Sequence, residues 1–415
     1  MSGLGQHLRG RFLGNVRGDL LGGLTAGVVA LPLALGFGVV SGLENGAAAG
    51  LYGAIAVGLI AAMFGGTPAQ VSGPTGPMTV VVAALAAALP DPRLVFLAIA
   101  LGGVLQVLLG VLRLGRFIQY VPYPVVSGFM SGIGVIIILI QLPVLFGLPP
   151  ASSPLEGLQA LARVPGSLSP AALALGAASI GLIYLTPRLT RVVPGTLVAL
   201  VVLTIAAAVL GSQVPTIGAV PSGLPWPSLP AFDLASLQVV LPAALTLAAL
   251  GSIDSLLTSL VADKVTGTRH DSEQELIGQG AGNVLAAMFG GLAGAGATMR
   301  TVVNVRSGGR THLAGVVHSA FLLAVLFGLG SLAARIPLAV LAGILITVGL
   351  GIIDYKGLRH VFRAPKGDAL VMLVVLVLTV TVDLIWAVAA GTVHSSLMLV
   401  KRFADIHGAT HAPLY

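Results

Sequence analysis

Leu94 to Leu112 runs without a single charged residue, and apolar stretches of similar length recur at Leu20–Val40, at Ser127–Leu148 and from Val371 onward. A run of about 18 or more such residues spans a bilayer as helix. A chain built of them has few folds open to it. Only 8% of its 415 residues are charged, and its mean hydropathy is +1.02, where soluble domains carry roughly 25% charged residues. The segments lack the apolar and polar alternation of barrel strands, so the expectation is an all-α polytopic protein of an inner or plasma membrane. Met1 to Gly18 is basic and polar, without the apolar centre of a cleavable signal peptide. With no cysteine, disulfides and thiolate metal sites are excluded.

The hydropathy pattern predicts about fourteen crossings. They fall at residues 19–41, 46–64, 70–89, 93–113, 122–147, 169–187, 192–211, 236–262, 273–290, 294–306, 312–333, 337–354, 367–383 and 384–401. The formal net charge of +7 raises the question of nucleic acid, and the placement of the basic residues answers it. With both termini cytoplasmic, the inward segments take nearly all of them, from Arg9, Arg11 and Arg17 to Lys401 and Arg402. The outward loops hold only Arg93, Arg163 and Arg335, as the positive-inside rule demands. The residue that topology leaves unexplained is Arg300. It lies between Phe289 and Val305 with no other charge in the stretch, and a charge at that depth faces a partner, a cavity or a ligand.

A Pro-rich segment, Gln213 to Pro230, separates seven predicted crossings from the next seven. The expected organisation is a cytoplasmic N-terminus (1–18), a first repeat (19–211), an outer loop (212–235), a second repeat (236–402) and a cytoplasmic tail (403–415). Because seven is odd, the two halves would be inserted with opposite orientation, the inverted-repeat plan of many secondary transporters. The third crossing of each half is interrupted. In the first, Thr67 to Met78 carries Gly73, Pro74, Thr75, Gly76 and Pro77; in the second, Gly290 to Arg300 carries Gly294, Gly296, Thr298 and Met299.

Both interruptions read as extended backbone leading into a half-helix. Each helix start leaves about four free N–H groups and roughly half a positive charge. Two such starts facing each other make an anion site, and Arg300, in the first turn of the second, leans back into the gap. Pro74 and Arg300 are therefore expected to approach each other. Each of these residues also admits a structural reading. Asp254, embedded in an apolar helix, is the natural partner for Arg300 in a purely structural pairing, and both roles can hold at once. Gly128, Gly132 and Gly134 read as sites of close helix packing, and Gly294 and Gly296 admit that reading too. Asp383 reads as interfacial. His318 and His394 lack ligand spacing and read as packed, hydrogen-bonded residues.

These residues resemble the sulfate permease family of anion transporters over about residues 19–403. The resemblance rests on Asp19 to Pro32, Gly42-Leu43, Gly50-Leu51-Tyr52, Val71-Ser72-Gly73-Pro74, Gln274 to Gly280 and Thr298 to Asn304. It implies a core domain of helices one to four and eight to eleven, moving against a gate domain in an elevator-like way. It also implies a substrate pocket between helices three and ten, closed by helices one and eight. Carried over by position, the pocket residues are Leu33, Phe37, Pro74, Thr75, Gly76, Asp254, Thr298, Met299 and Arg300. Leu33 stands where many relatives have Gln, and Phe37 where Tyr is frequent. Loss of these polar contacts tilts the expected substrate toward small carboxylates or dicarboxylates, with bicarbonate and sulfate open.

Val39 replaces an acid found in some symporting relatives, which leaves Asp254 as the coupling group, for a proton or else sodium. If it is protonated, the site is more positive by one unit, and proton and anion bind together. Relatives usually carry a cytoplasmic STAS domain after the last helix, whereas this sequence stops at Tyr415. The expected partners are thus a small inorganic or carboxylate anion, a coupling cation and the lipid bilayer, with a homodimer open and no nucleic acid. No cofactor and no metal site are expected, and an enzyme is the least favoured class. Gly278 to Asn283 misses the G-x-G-x-x-G fingerprint at its last position. A nucleobase permease of the same fold and an anion channel are the rival readings.

Overall fold

The structure is a computed structural model that describes residues 10–381, apart from 90, 119–122, 152, 191–192, 219–222, 229–233 and 362–365. The predicted crossing at 384–401, Asp383, His394 and the tail from 403 lie outside the described residues. After one helical turn at residues 10–13, the first half contains α1 (Val16–Val40), α2 (Gly46–Phe64), β1 (Ser72–Gly73), α3 (Gly76–Ala88) and α4 (Pro92–Val111). It continues through α5 (Gly115–Ile118), α6 (Tyr123–Leu145), α7 (Pro154–Leu161), α8 (Val164–Ser167), α9 (Pro170–Leu189) and α10 (Gly195–Val209). The second half contains α11 (Leu234–Thr266), α12 (Ser272–Met288), β2 (Ala295–Gly296), α13 (Thr298–Arg306) and α14 (Leu313–Ala333). It ends with α15 (Leu338–Ile352), α16 (Tyr355–Val361) and α17 (Lys366–Thr381).

Every predicted crossing up to residue 381 thus finds a helix, most with ends within a few residues of the expected ones. The largest departure is α3, which begins at Gly76 rather than 70 because the residues before it form extended backbone and β1; α11 continues to Thr266 rather than 262 and is 33 residues long. Short helices α5, α7, α8 and α16 were not anticipated, since none is long enough to show a hydropathy period. Among the described residues, six helices are both long and apolar enough to cross a membrane, and the protein is a multi-pass membrane protein. By contrast, α3 and α13 have 13 and 9 residues, well short of the roughly 20 that a crossing needs. They are half-helices, as the interrupted segments predict.

Packing follows an internal symmetry. The contact of α1 with α14 is matched by that of α11 with α4, and the contact of α2 with α14 by that of α12 with α4; α2 also packs on α12. Exchanging the first and second halves element by element maps each contact onto its counterpart, which is what inverted repeats produce. By contact density the chain divides into a larger unit, residues 1–119 and 139–347, and a smaller one, residues 120–138 and 348–415. The Pro-rich loop is anchored within the larger unit. Ile217 N–H donates to Ile336 O at 3.0 Å, Leu338 N–H to Pro215 O at 2.9 Å, and Tyr52 Oη to Gly223 O at 3.0 Å.

In the smaller unit, Asp354 organises the turn before α16. Its carboxylate accepts the Tyr123 hydroxyl, the Ser127 hydroxyl at 2.6 Å and Gly357 N–H at 2.9 Å. Burial alone raises its pKa, but the hydrogen bonds from Ser127 and Tyr123 outweigh that and hold it below the usual carboxylate range. Gly128, Gly132 and Gly134 lie at helix contacts, against Met372, Thr379 and Gly349 respectively. The packing reading of these three glycines is the one the structure supports.

The tightest crossing joins α1 to α2 through glycine. A Cβ on Gly50 would lie 1.9 Å from the Ala34 carbonyl oxygen, whereas one on Gly181 would meet nothing within 4 Å. Gly50→Val is therefore expected to force the two backbones apart, at a cost of roughly 1–3 kcal/mol or more. Gly181→Val should be near neutral. Thermal melting of the two variants in the same detergent checks the contrast; equal melting temperatures would contradict it.

Candidate anion site at the facing half-helices

The two interrupted segments meet. Strand β1 pairs with β2 in antiparallel fashion, Ser72 opposite Gly296 and Gly73 opposite Ala295, so the two half-helices spring from a shared two-stranded ribbon. The antiparallel pairing is the one that inverted repeats call for. The close approach depends on glycine. A Cβ on Gly294 would lie 2.6 Å from the Gly73 carbonyl carbon, and one on Gly73, at φ +150°, would lie 2.8 Å from Arg300 Nη1. Gly294 and Gly296 therefore both stand where backbone and side chains approach closely, Gly296 against Gln70 and Ser255.

Neither helix start is capped. Thr75 and Ala297 sit in extended conformation at the N-cap positions of α3 and α13, and neither side chain takes up a backbone N–H there. Pro77 occupies the first turn of α3, where its missing N–H costs nothing. The extended segment before β1 is held by α13. Val71 N–H donates to Thr301 Oγ1 at 3.0 Å, Ala297 N–H to Val71 O at 2.9 Å, and Asn304 Nδ2 to Ala69 O at 2.8 Å. Ala69 has φ +60°, a left-handed conformation that is uncommon outside glycine, and the Asn304 bond holds its carbonyl in place.

Arg300 is 2% exposed and Asp254 7%. The Arg300 Nη2 group donates to the Pro74 carbonyl at 2.5 Å, so these two residues are in contact. Nη1 is buried with no hydrogen-bond partner among the described residues, and the same is true of Asp254 Oδ2, Thr75 Oγ1 and Thr79 Oγ1. Asp254 lies near enough to Thr75 and Arg300 to feel both, yet it makes no ion pair with Arg300 and no hydrogen bond of normal geometry through Oδ2. The structural pairing considered for Asp254 and Arg300 is thus an interaction of charges across space. Buried polar atoms without partners are rare in folded proteins and ask for a ligand or water.

Helix α11 positions the acid and β2 together. The Gly296 N–H donates to Ser255 Oγ at 3.1 Å, Thr258 Oγ1 donates to Gly296 O at 3.0 Å, and Thr258 and Thr298 hydroxyls lie 2.7 Å apart. Leu33 and Phe37, one turn apart on α1, are buried, and α1 packs on both α3 and α13. Pro74, Thr75 and Gly76 are buried and Thr298 is half-buried. Met299 differs from the other expected pocket residues, being 70% exposed, because its neighbour Arg300 takes the inward direction on this short helix. His318 is fully buried as expected, but neither ring nitrogen has a hydrogen-bond partner among the described residues. It packs near Gly58 beside Ser319, so only the packing half of that expectation holds.

Several polar residues behind the site escaped residue-by-residue reading, namely Gln70, Ser72, Ser255, Thr258, Ser259, Glu275 and Gln279. Their signal was present as polar residues at i, i+4 spacing inside apolar helices, Ser255 with Ser259 and Glu275 with Gln279. Among the described residues, no group of three or more His, Cys, Asp or Glu side chains is placed to hold a metal ion.

Comparison with known proteins agrees with this architecture. The sulfate permease family model matches residues 16–375. The bicarbonate transporter BicA of Picosynechococcus sp. is 46% identical over 407 residues, covering 94% of this chain and 71% of that protein. A putative sulfate transporter of Bacillus subtilis, YbaR, is 33% identical over 414 residues, covering 98% of this chain and 81% of that protein. Among solved structures, the transmembrane domain of a cyanobacterial bicarbonate transporter BicA superposes with a TM-score of 0.83 at 47% identity, over 90% of this chain and 97% of that one.

Proposed function

The chain belongs to the sulfate permease family, and from that premise we propose that it carries bicarbonate across the membrane by cation-coupled symport. That it is an anion transporter of this family, and not an enzyme, follows from its relatives. The observation that supports the finer reading is the set of buried polar atoms at and beside the two helix starts that have no partner among the described residues, Arg300 Nη1, Asp254 Oδ2, Thr75 Oγ1 and Thr79 Oγ1. A small anion placed there accepts from the guanidinium and from the free N–H groups of α3 and α13.

The choice of bicarbonate rests on two arguments. The relatives at 46% and 47% identity are bicarbonate transporters, and the α1 wall supplied by Leu33 and Phe37 offers no hydrogen bonds. A carboxylate-like anion with one charge suits such a wall better than a fully hydrogen-bonded divalent oxyanion. Asp254 is the coupling group. A proton or sodium ion on its carboxylate removes or offsets a negative charge near Arg300, so cation and anion favour each other's binding. The elevator-like movement of core against gate, and a cytoplasmic N-terminus set by the basic loops, complete the reading.

Proteoliposome uptake and counterflow test it. Labelled bicarbonate is expected to enter saturably, to accumulate under an inward cation gradient and to exchange with internal bicarbonate. Small carboxylates should compete weakly. Uptake of sulfate with none of bicarbonate would overturn the substrate. Competition by uracil would move the protein to the nucleobase permeases, and single-channel conductance without accumulation would make it a channel.

A further inference from the structure

Glu275 sits in the first turn of α12, 1% exposed, and its environment is unusual for an acid. Each carboxylate oxygen accepts two N–H groups. Oε1 takes Gln70 Nε2 at 2.6 Å and Gln279 Nε2 at 2.7 Å; Oε2 takes Gly66 N–H at 3.0 Å and Thr67 N–H at 2.9 Å. A carboxylate offers about four acceptor positions, and all four are used here. A protonated acid would set an O–H against one of these donors, so this cage is built for the ionised form. Among the described residues the charge is met by hydrogen bonds alone, which is how a buried ion without a counter-ion is retained.

The cage leads to the anion site along two branches. Gln279 Nε2 also reaches Ser72 Oγ at 2.6 Å, and Ser72 is the β1 residue paired with Gly296. On the other branch, Gln70 Oε1 accepts Ser259 Oγ at 3.1 Å, and Ser259 Oγ lies 2.7 Å from Thr67 Oγ1. Ser259 is on α11, beside the Thr258 that holds β2 through Gly296 O. One carboxylate therefore fixes the linker before β1, β1 itself and the segment of α11 that follows Asp254.

We propose that Glu275 is a positioning residue for anion binding: its ionised carboxylate sets β1 and α11 so that the start of α3 and Asp254 stand at the right separation from Arg300. It touches no substrate. Its action is to fix neighbouring groups that themselves form the site, the role that outer hydrogen bonds play around many binding centres. The inference rests on the anion-site reading above. It adds a buried acid whose loss should alter affinity while leaving the anion-contacting side chains in the sequence untouched.

Glu275→Gln retains the size but offers one acceptor oxygen and turns an amide toward N–H donors. Ser72→Ala cuts only the link from Gln279 to β1 and serves as the milder variant. Two measurements on the full chain in lipid nanodiscs and proteoliposomes test the inference. In hydrogen exchange, residues 67–76 should exchange at least about tenfold faster in Glu275→Gln than in the unaltered protein, while α9 stays unchanged. In saturable uptake of labelled bicarbonate, the half-saturation concentration should rise about tenfold in Glu275→Gln, equivalent to about 1.4 kcal/mol, and severalfold in Ser72→Ala. The maximal rate per folded molecule should change less than twofold.

Unchanged exchange at 67–76 in both variants would overturn the inference, whatever anion the protein carries. So would unchanged half-saturation in Ser72→Ala together with a mere drop in melting temperature for Glu275→Gln, which would make the cage a stabilising feature only. Should Glu275→Gln fail to fold, Ser72→Ala decides by the same two readouts. Absence of saturable bicarbonate uptake in the unaltered protein would instead count against the proposed substrate, with hydrogen exchange still judging the positioning role.

Discussion

Replacing Arg300 with Ala is expected to abolish measurable saturable uptake, with half-saturation raised by about a hundredfold or more, in a protein that still inserts and folds. The magnitude follows from what the residue supplies. A hydrogen bond from a charged group contributes roughly 1.5–3 kcal/mol, and each 1.4 kcal/mol is about tenfold in affinity. Nη2 is committed to the Pro74 carbonyl at 2.5 Å, which leaves Nη1, buried and without a partner among the described residues, for the anion. Truncation also leaves Asp254 without the Arg300 charge that offsets it, so the site changes from attracting an anion to repelling one.

Companion variants separate binding from stability. Arg300→Lys keeps the charge but cannot hold Pro74 and present a second fixed N–H group at once, so an intermediate affinity is expected. Arg300→Ala combined with Asp254→Asn removes the uncompensated acid. It should recover melting temperature while uptake stays lost. Unchanged uptake by Arg300→Ala at native expression would reject the site outright.

The parts of this architecture that were legible in the sequence are those governed by hydropathy and charge. A bilayer demands long uninterrupted apolar segments, so α2 could be bounded at residues 46–64 from its run alone, and the structure gives Gly46–Phe64. Arg300 stood out because everything from Phe289 to Val305 around it is uncharged. The half-helices were legible because Pro74, Pro77 and the glycines from 290 to 296 interrupt otherwise apolar segments. Side-chain direction was not legible in the same way. Met299 and Arg300 are adjacent, and only the three-dimensional path of a 9-residue helix decides that one is exposed and the other buried.

The Glu275 cage was hidden for a different reason. Its members come from residues 66–72, 259 and 275–279 and are joined by bonds of high sequence separation. Local pattern can mark Glu275 and Gln279 as polar residues on one helix face. It cannot say that the backbone N–H groups of Gly66 and Thr67 complete their coordination. The extent of α11 to Thr266 was missed because its last turn, Asp263 to Thr266, carries two charges and a single apolar residue, Val265, before Gly267 at φ +74° ends it.

Asp254→Asn is expected to uncouple the transporter while sparing exchange. Asparagine has the shape of the acid with its charge removed, so it resembles the cation-loaded state permanently. In the unaltered protein, an ionised Asp254 opposes the anion, and a bound proton or sodium ion relieves that opposition. For unit charges near 4 Å at an effective dielectric of about 20 the interaction is roughly 4 kcal/mol, and it falls with separation. Even half of that is more than tenfold in anion affinity. With cation absent, the variant should therefore bind bicarbonate at least about tenfold more tightly than the unaltered protein. With saturating cation the two should be similar. Accumulation driven by a cation gradient should vanish in the variant, whereas counterflow, which needs no gradient, should persist. Running the assay with a pH gradient in sodium-free buffer, and again with a sodium gradient at constant pH, identifies the coupling ion, since only one gradient drives the unaltered protein. Full gradient-driven accumulation by Asp254→Asn in both arms would remove Asp254 from the coupling step. Loss of counterflow along with accumulation would place it in anion binding instead.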